Sequence, residues 1–177
     1  AMAPVADVSI AVTPELNLDG DTTILLVKLD ENNRLAGSIF SEVTESKYQN
    51  TPDIDDTNKF RSLFTLIQGF IKDKKILSMH DISDGGLIVS LLEMCFTKKV
   101  GMTLNLGSTQ DVNSLLFSEE IGFVIQVRND DREEVISILQ KSNLFIKEIA
   151  DISDKDFSII NNEKNIFSSS ITKLEKI

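Results

Sequence analysis

Ile76-Leu77-Ser78-Met79-His80-Asp81-Ile82-Ser83-Asp84-Gly85-Gly86-Leu87 is the stretch on which the reading of this chain turns. An apolar run enters a polar turn, a glycine pair follows, and an apolar helical pattern continues from Leu87 to Phe96. Strand, turn and helix in that order set polar side chains at a helix N-terminus. Free backbone N–H groups and the positive end of the helix dipole make such a place an anion site. Asp81 and Asp84 are themselves negative and repel a bare phosphate, unless a divalent cation lies between carboxylate and phosphate oxygens. If the turn binds a ligand, the pattern points to a metal–nucleotide site. The structural alternative is that Ser83 or Asp84 merely caps the helix, with Gly85 and Gly86 giving the chain room to turn.

Around this turn, 177 residues with 41% hydrophobic content suffice for one large domain or two small ones. The net charge of −10 lacks the basic face of a nucleic-acid binder, and no apolar run approaches the roughly 20 residues of a membrane span. Neither nucleic acid nor membrane is an expected partner. Cys95 is the single cysteine, so no intrachain disulfide forms; a reducing, cytoplasmic setting is expected. Its place in an apolar helical stretch reads as a buried, inert thiol. Ala1-Met2-Ala3 reads as a cloning remnant, and residues 4–177 as one domain whose last 20 or so residues fit least well.

Strands are expected at 22–29, 76–82, 102–106, 122–127 and 145–150, with shorter ones at 9–13 and near Ile159-Ile160. Helices are expected from Ser38 to Val43, from Asn58 to Lys72 behind an Asp55 or Asp56 cap, over 86–97, around Leu115, and over 132–140 behind Asp130-Asp131. Phe60 and Phe64 form an aromatic stripe that reads as core. The Ser- and Lys-rich tail at 168–177 is a weak boundary signal. Strands alternate with helices at long, uneven spacings, which favours an α/β sandwich over a regular doubly wound sheet.

Other chemistry finds little footing. His80 is the one histidine, with no nucleophile beside it in sequence, and zinc is poorly served by one His and one Cys. No Walker loop or Gly-x-Gly-x-x-Gly is present. His80 reads as a residue that orients the turn or packs beneath it. Glu119-Glu120 is either a solvated corner or a pair facing the same cleft as the turn.

Four motifs in order resemble one family. His80-Asp81-Ile82-Ser83-Asp84-Gly85-Gly86-Leu87 with Leu92-Glu93-Met94-Cys95-Phe96 is similar to the His-Asp-x-Ser-Asp-Gly-Gly-Leu … Glu-Met-Ala-Phe-Ala-Gly signature of the phosphoribosylformylglycinamidine synthases. Asp21-Thr22-Thr23-Ile24-Leu25-Leu26 and Arg34-Leu35-Ala36-Gly37-Ser38 resemble the segment opening that family's domain, and Phe117 to Gln126 its Glu-Glu-Leu-Gly strand. The resemblance covers roughly residues 4–150 and departs at Cys95, Thr97 and Lys98, where the family has small residues.

The resemblance implies a C-terminal-type domain of the synthetase core, like that of aminoimidazole ribonucleotide synthetase. That fold is an α/β sandwich with a mixed sheet, partly ferredoxin-like. The complete enzyme makes formylglycinamidine ribonucleotide from formylglycinamide ribonucleotide, glutamine and ATP. Its remaining synthetase and glutaminase domains, on the same polypeptide, are then the partners, and this piece alone is inactive. Carried over by position, Asp81 binds Mg2+ and Ser83 the nucleotide, ATP or ADP. His80, Asp84, Gly85 and Gly86 support them, Asp84 either through water or as a cap. Selenophosphate synthetase, thiamine-phosphate kinase and hydrogenase-maturation proteins carry similar turns. A purely structural interface domain is the remaining alternative.

Overall fold

The computed structural model describes residues 4, 5 and 7–176; Ala1-Met2-Ala3 lies outside them. Seven strands form one sheet: β1 (Thr22–Lys28), β2 (Ile76–Asp81), β3 (Gly101–Asn105), β4 (Gly122–Arg128), β5 (Phe145–Ser153), β6 (Asp156–Asn161) and β7 (Lys164–Ser170). Their order is β2-β4-β1-β5-β3-β6-β7. All neighbours are antiparallel except β3 and β6, so the sheet is mixed. Among the described residues, six α-helices accompany the sheet: α1 (Ile39–Val43), α2 (Thr57–Lys72), α3 (Gly86–Lys98), α4 (Val112–Phe117), α5 (Asn129–Lys141) and α6 (Ile171–Leu174).

β1-α2-β2 and β4-α5-β5 are two β-α-β units whose strands interleave as β2-β4-β1-β5, a ferredoxin-like core. The α3-β3-α4 segment is inserted between them, and β3, β6 and β7 extend the sheet. β1 explains why both faces must be covered. Its run is apolar without alternation, so Ile24 and Leu26 face one layer while Leu25 and Val27 face the other. Leu63, Ile67 and Phe70 of α2 with Val135 and Leu139 of α5 bury the second face. Leu87, Leu91, Met94 and Cys95 of α3, with Leu116 and Ile171, bury the first. Each such side chain contributes about 1.5–3 kcal/mol on burial.

Several expectations are corrected. Residues 9–13 are not a ladder strand: Val8–Ile10 makes a 3₁₀ turn because the Asp7 carboxylate takes the Ser9 amide, at 2.9 Å. Only the Thr13 carbonyl reaches the sheet, accepting from Met79, before Pro14 removes the next donor. α5 begins at Asn129, and Asp130 and Asp131 lie in its first turn instead of capping it. Of the two cap candidates for α2, Asp56 is the one used. Phe64 is 42% exposed and leans edge-on against Phe123, so the buried face of α2 is set by Leu63, Ile67 and Phe70. The polar tail is not loose: residues 164–170 pair with β6 across a hairpin, and α6 follows.

Cys95 is fully buried, and burial pushes its thiol up to about 12. Thr97 bonds back to the Met94 carbonyl and Lys98 pairs with Glu15, so the departures in α3 are accommodated locally.

Candidate functional site

The turn begins where β2 runs out. Ile82 N–H still donates to the Gly122 carbonyl at 3.0 Å, which ties the turn to the first residue of β4. The Gly86 amide then closes on the Ser83 carbonyl, also at 3.0 Å. Gly85 takes φ +87° and Gly86 φ +75°, the left-handed region that suits glycine. Gly86 is needed for a second reason. A Cβ there falls 2.6 Å from the Phe117 carbonyl carbon and 2.8 Å from the Ser118 oxygen, both backbone atoms at the end of α4. The Ser90 hydroxyl, one turn into α3, donates to the Asp81 carbonyl at 2.9 Å and so holds the turn from below.

His80 sits beneath the turn with its ring 12% exposed. Its Nε2 lies 2.8 Å from a Glu93 carboxylate oxygen on α3, and its Nδ1 lies 2.7 Å from the Asp81 carbonyl. This is the orienting position expected of it. Asp81, Ser83 and Asp84 all face solvent, and the Asp81 side chain is 66% exposed. Neither Ser83 nor Asp84 caps the helix: the N-cap is Gly85, with no side-chain cap bond. The purely capping reading of the turn is therefore corrected. The Asp84 carboxylate, which caps nothing, stands exposed beside the turn.

Sequence reasoning left Glu119-Glu120 undecided, and the structure makes both into struts. One Glu119 carboxylate oxygen accepts the Gly85 amide and the Ile39 amide, each at 2.9 Å. Glu120 is buried and grips Arg34 at both ends: Nε donates to Oε1 at 2.7 Å and Nη2 to Oε2 at 2.9 Å. The Arg34 amide also donates to Oε1, and Nη1 reaches Asp55 at 2.9 Å. Burial pushes the Glu120 carboxyl up, but its bonds to Arg34 outweigh this and hold it below the usual carboxylate range. The Arg34 guanidinium is raised in turn. Three segments far apart in sequence thus meet at one corner of the fold. The sequence offered only a pair of adjacent acids ahead of a strand, which names no partner for either.

Among the described residues, no three His, Cys, Asp or Glu side chains are grouped to hold a metal ion. The donors at the turn are one well-exposed carboxylate, Asp81, with the Ser83 hydroxyl and Asp84 nearby. Such a set is no all-protein cage. It does fit Mg2+, which keeps its waters and is held by one or two carboxylates plus phosphate oxygens. The turn lies on open surface. A cleft of about 440 Å³ lies at the opposite end of β1, lined by Asn17, Asp21, Asn129, Asp151 and Asp154 among others.

The profile of "AIR synthase related protein, C-terminal domain" matches residues 19–161. Solved structures share the fold. Thermotoga maritima PurL complexed with ATP superimposes with a TM-score of 0.75 at 12% identity, over 94% of this chain and 27% of that one. The same protein complexed with FGAR gives 0.76 at 13%, over 94% and 30%. The HypE–HypF complex gives 0.60 at 17%, over 87% and 53%. The chain thus spans under a third of the PurL chains it matches. With the profile covering most of the sequence and the sheet and helices agreeing, this chain belongs to the AIR synthase related protein family, as a C-terminal domain of that family.

Proposed function

We propose that this domain supplies a magnesium–nucleotide half-site to a larger ATP- and glutamine-dependent ligase that converts formylglycinamide ribonucleotide to formylglycinamidine ribonucleotide. The observation that carries the reading is the exposed Asp81–Ser83 turn, tied at Gly85 by Glu119, whose neighbour Glu120 holds Arg34 from another family-like motif. Support also comes from the T. maritima PurL structures, which hold ATP, ADP, AMPPCP or FGAR. In this reading Asp81 takes the metal, Ser83 donates to a phosphate oxygen, and Gly85 and Gly86 give the backbone the bend that presents both. When bound, the magnesium ion neutralises phosphate charge that Asp81 and Asp84 would otherwise repel. His80 and Ser90 fix the turn, so little ordering is left for the ligand to impose.

The remaining synthetase and glutaminase domains would supply the other half of the site and the ammonia. Ile39, which shares the Glu119 oxygen with Gly85, is exposed together with Val43 on the same helix, and such a surface suits cover by those domains. The reading is tested in the complete polypeptide. Asp81→Ala should weaken nucleotide retention by the roughly 1.5–3 kcal/mol of a charged contact, at least tenfold, and lower synthesis with it. Unchanged retention and unchanged synthesis would remove Asp81 from the site. A second reading, a hydrogenase-maturation-type enzyme, draws on the 17% identity to HypE. Failure of the complete polypeptide to use formylglycinamide ribonucleotide, with ATP still bound, would favour it.

A further inference from the structure

Part of what a helix N-terminus would ordinarily offer a phosphate is already taken. Gly85, the cap of the thirteen-residue α3, gives its N–H to Glu119, and so does Ile39, the first residue of α1. Both bonds end on the same oxygen, Oε1. A full negative charge therefore sits on the positive end of α3 and cancels what that end offers an incoming anion. The nearest guanidinium, Arg34, is committed to Glu120 and Asp55. Asp81 and Asp84 add two more exposed carboxylates beside the turn.

From this arrangement we infer that Glu119 is a specificity residue: it makes the turn reject metal-free phosphates and accept them only with a divalent cation. The inference rests on the turn being the nucleotide site. A phosphate carrying its own Mg2+ presents positive charge to these acids, whereas a bare polyphosphate meets their field undiminished. Glu119 does this without touching the ligand. Glu119→Gln is the informative change because glutamine keeps an Oε1 acceptor for both amides and loses only the charge. One charge acting over several ångströms in a partly solvated site is worth about three- to tenfold in affinity.

The test is a titration of the complete polypeptide, labelled within this domain and followed by NMR at the Ser83–Gly86 amides, with Mg·ADP and with ADP in chelator. Wild type should show a large ratio of metal-free to magnesium Kd. Glu119→Gln should cut that ratio about three- to tenfold, chiefly by tightening metal-free ADP. A merely structural role would weaken both ligands alike, leave the ratio unchanged, and overturn the inference. Asp81→Asn separates the two levels. If it leaves Mg·ADP binding as in wild type, or wild type shows no shifts at these amides at millimolar ligand, the site assignment falls and the inference with it. Should Glu119→Gln fail to fold, wild type still decides. With Mg·ADP bound, the Gly85 and Ile39 amide protons must show no hydrogen-bond coupling to phosphorus. Such a coupling at either amide means that phosphate has displaced the carboxylate, and contradicts the inference.

Discussion

Gly86 shows how little freedom single residues have at this corner. Its φ of +75° and the backbone of Phe117 and Ser118 below 3 Å from a would-be Cβ act together. Gly86→Ala should cost about 2–5 kcal/mol, combining backbone strain with overpacking, measured by urea unfolding. Lys28 is a second residue under stress. It is 3% exposed, with its ammonium on the Asn32 carbonyl and Asn33 Oδ1 and above the Phe145 ring. Burial lowers it from 10.5 to about 8, against the pull of Glu120. A lysine depressed in the folded state means that the unfolded chain binds more protons between those two values. Stability from this group should therefore rise as pH climbs from about 8 to 10.5, and Lys28→Met should flatten that rise in unfolding curves across the range. The bend at Gly85 and Gly86 was legible in the sequence because a glycine pair between a strand and a helix has few uses. The roles of Glu119 and Glu120 were not. Each depends on a partner 34 to 86 positions away, and no local pattern encodes such a distance.

Among the elements, β1, β4, α2 and α3 were readable because their burial is periodic or continuous. β7 was not, for a physical reason. It is an edge strand, exposed along nearly its whole length, and its Ser168-Ser169-Ser170 run carries no alternation. Its pairing is set by the turn instead. Asn162 and Glu163 both take positive φ, +51° and +61°, as in a type I′ hairpin. Asparagine tolerates that conformation, whereas glutamate is strained in it. Glu163→Gly should raise stability by about 0.5–1 kcal/mol in thermal unfolding, and a loss instead would mean that the turn differs from this geometry. The strand expected at 9–13 failed for the converse reason: its alternation was right, but a neighbouring aspartate captured the backbone first.

At the scale of the molecule, the topology explains why motifs spread along the chain come together at one place. β4 lies between β2 and β1, so the end of β2, the start of β4 and the loop leaving β1 share one edge. His80–Gly86, Glu119-Glu120 and Arg34 occupy those three places. The acidic cleft by Asp21 and Asp151 belongs to the far edge and offers a metal a rival location. Paramagnetic broadening by Mn·ADP, read across this domain's backbone amides within the complete polypeptide, separates the two most directly. The account predicts that broadening centres on Asp81 to Asp84 and vanishes in Asp81→Asn. Broadening centred on Asp21, Asp151 and Asp154, or a pattern indifferent to Asp81, would contradict it.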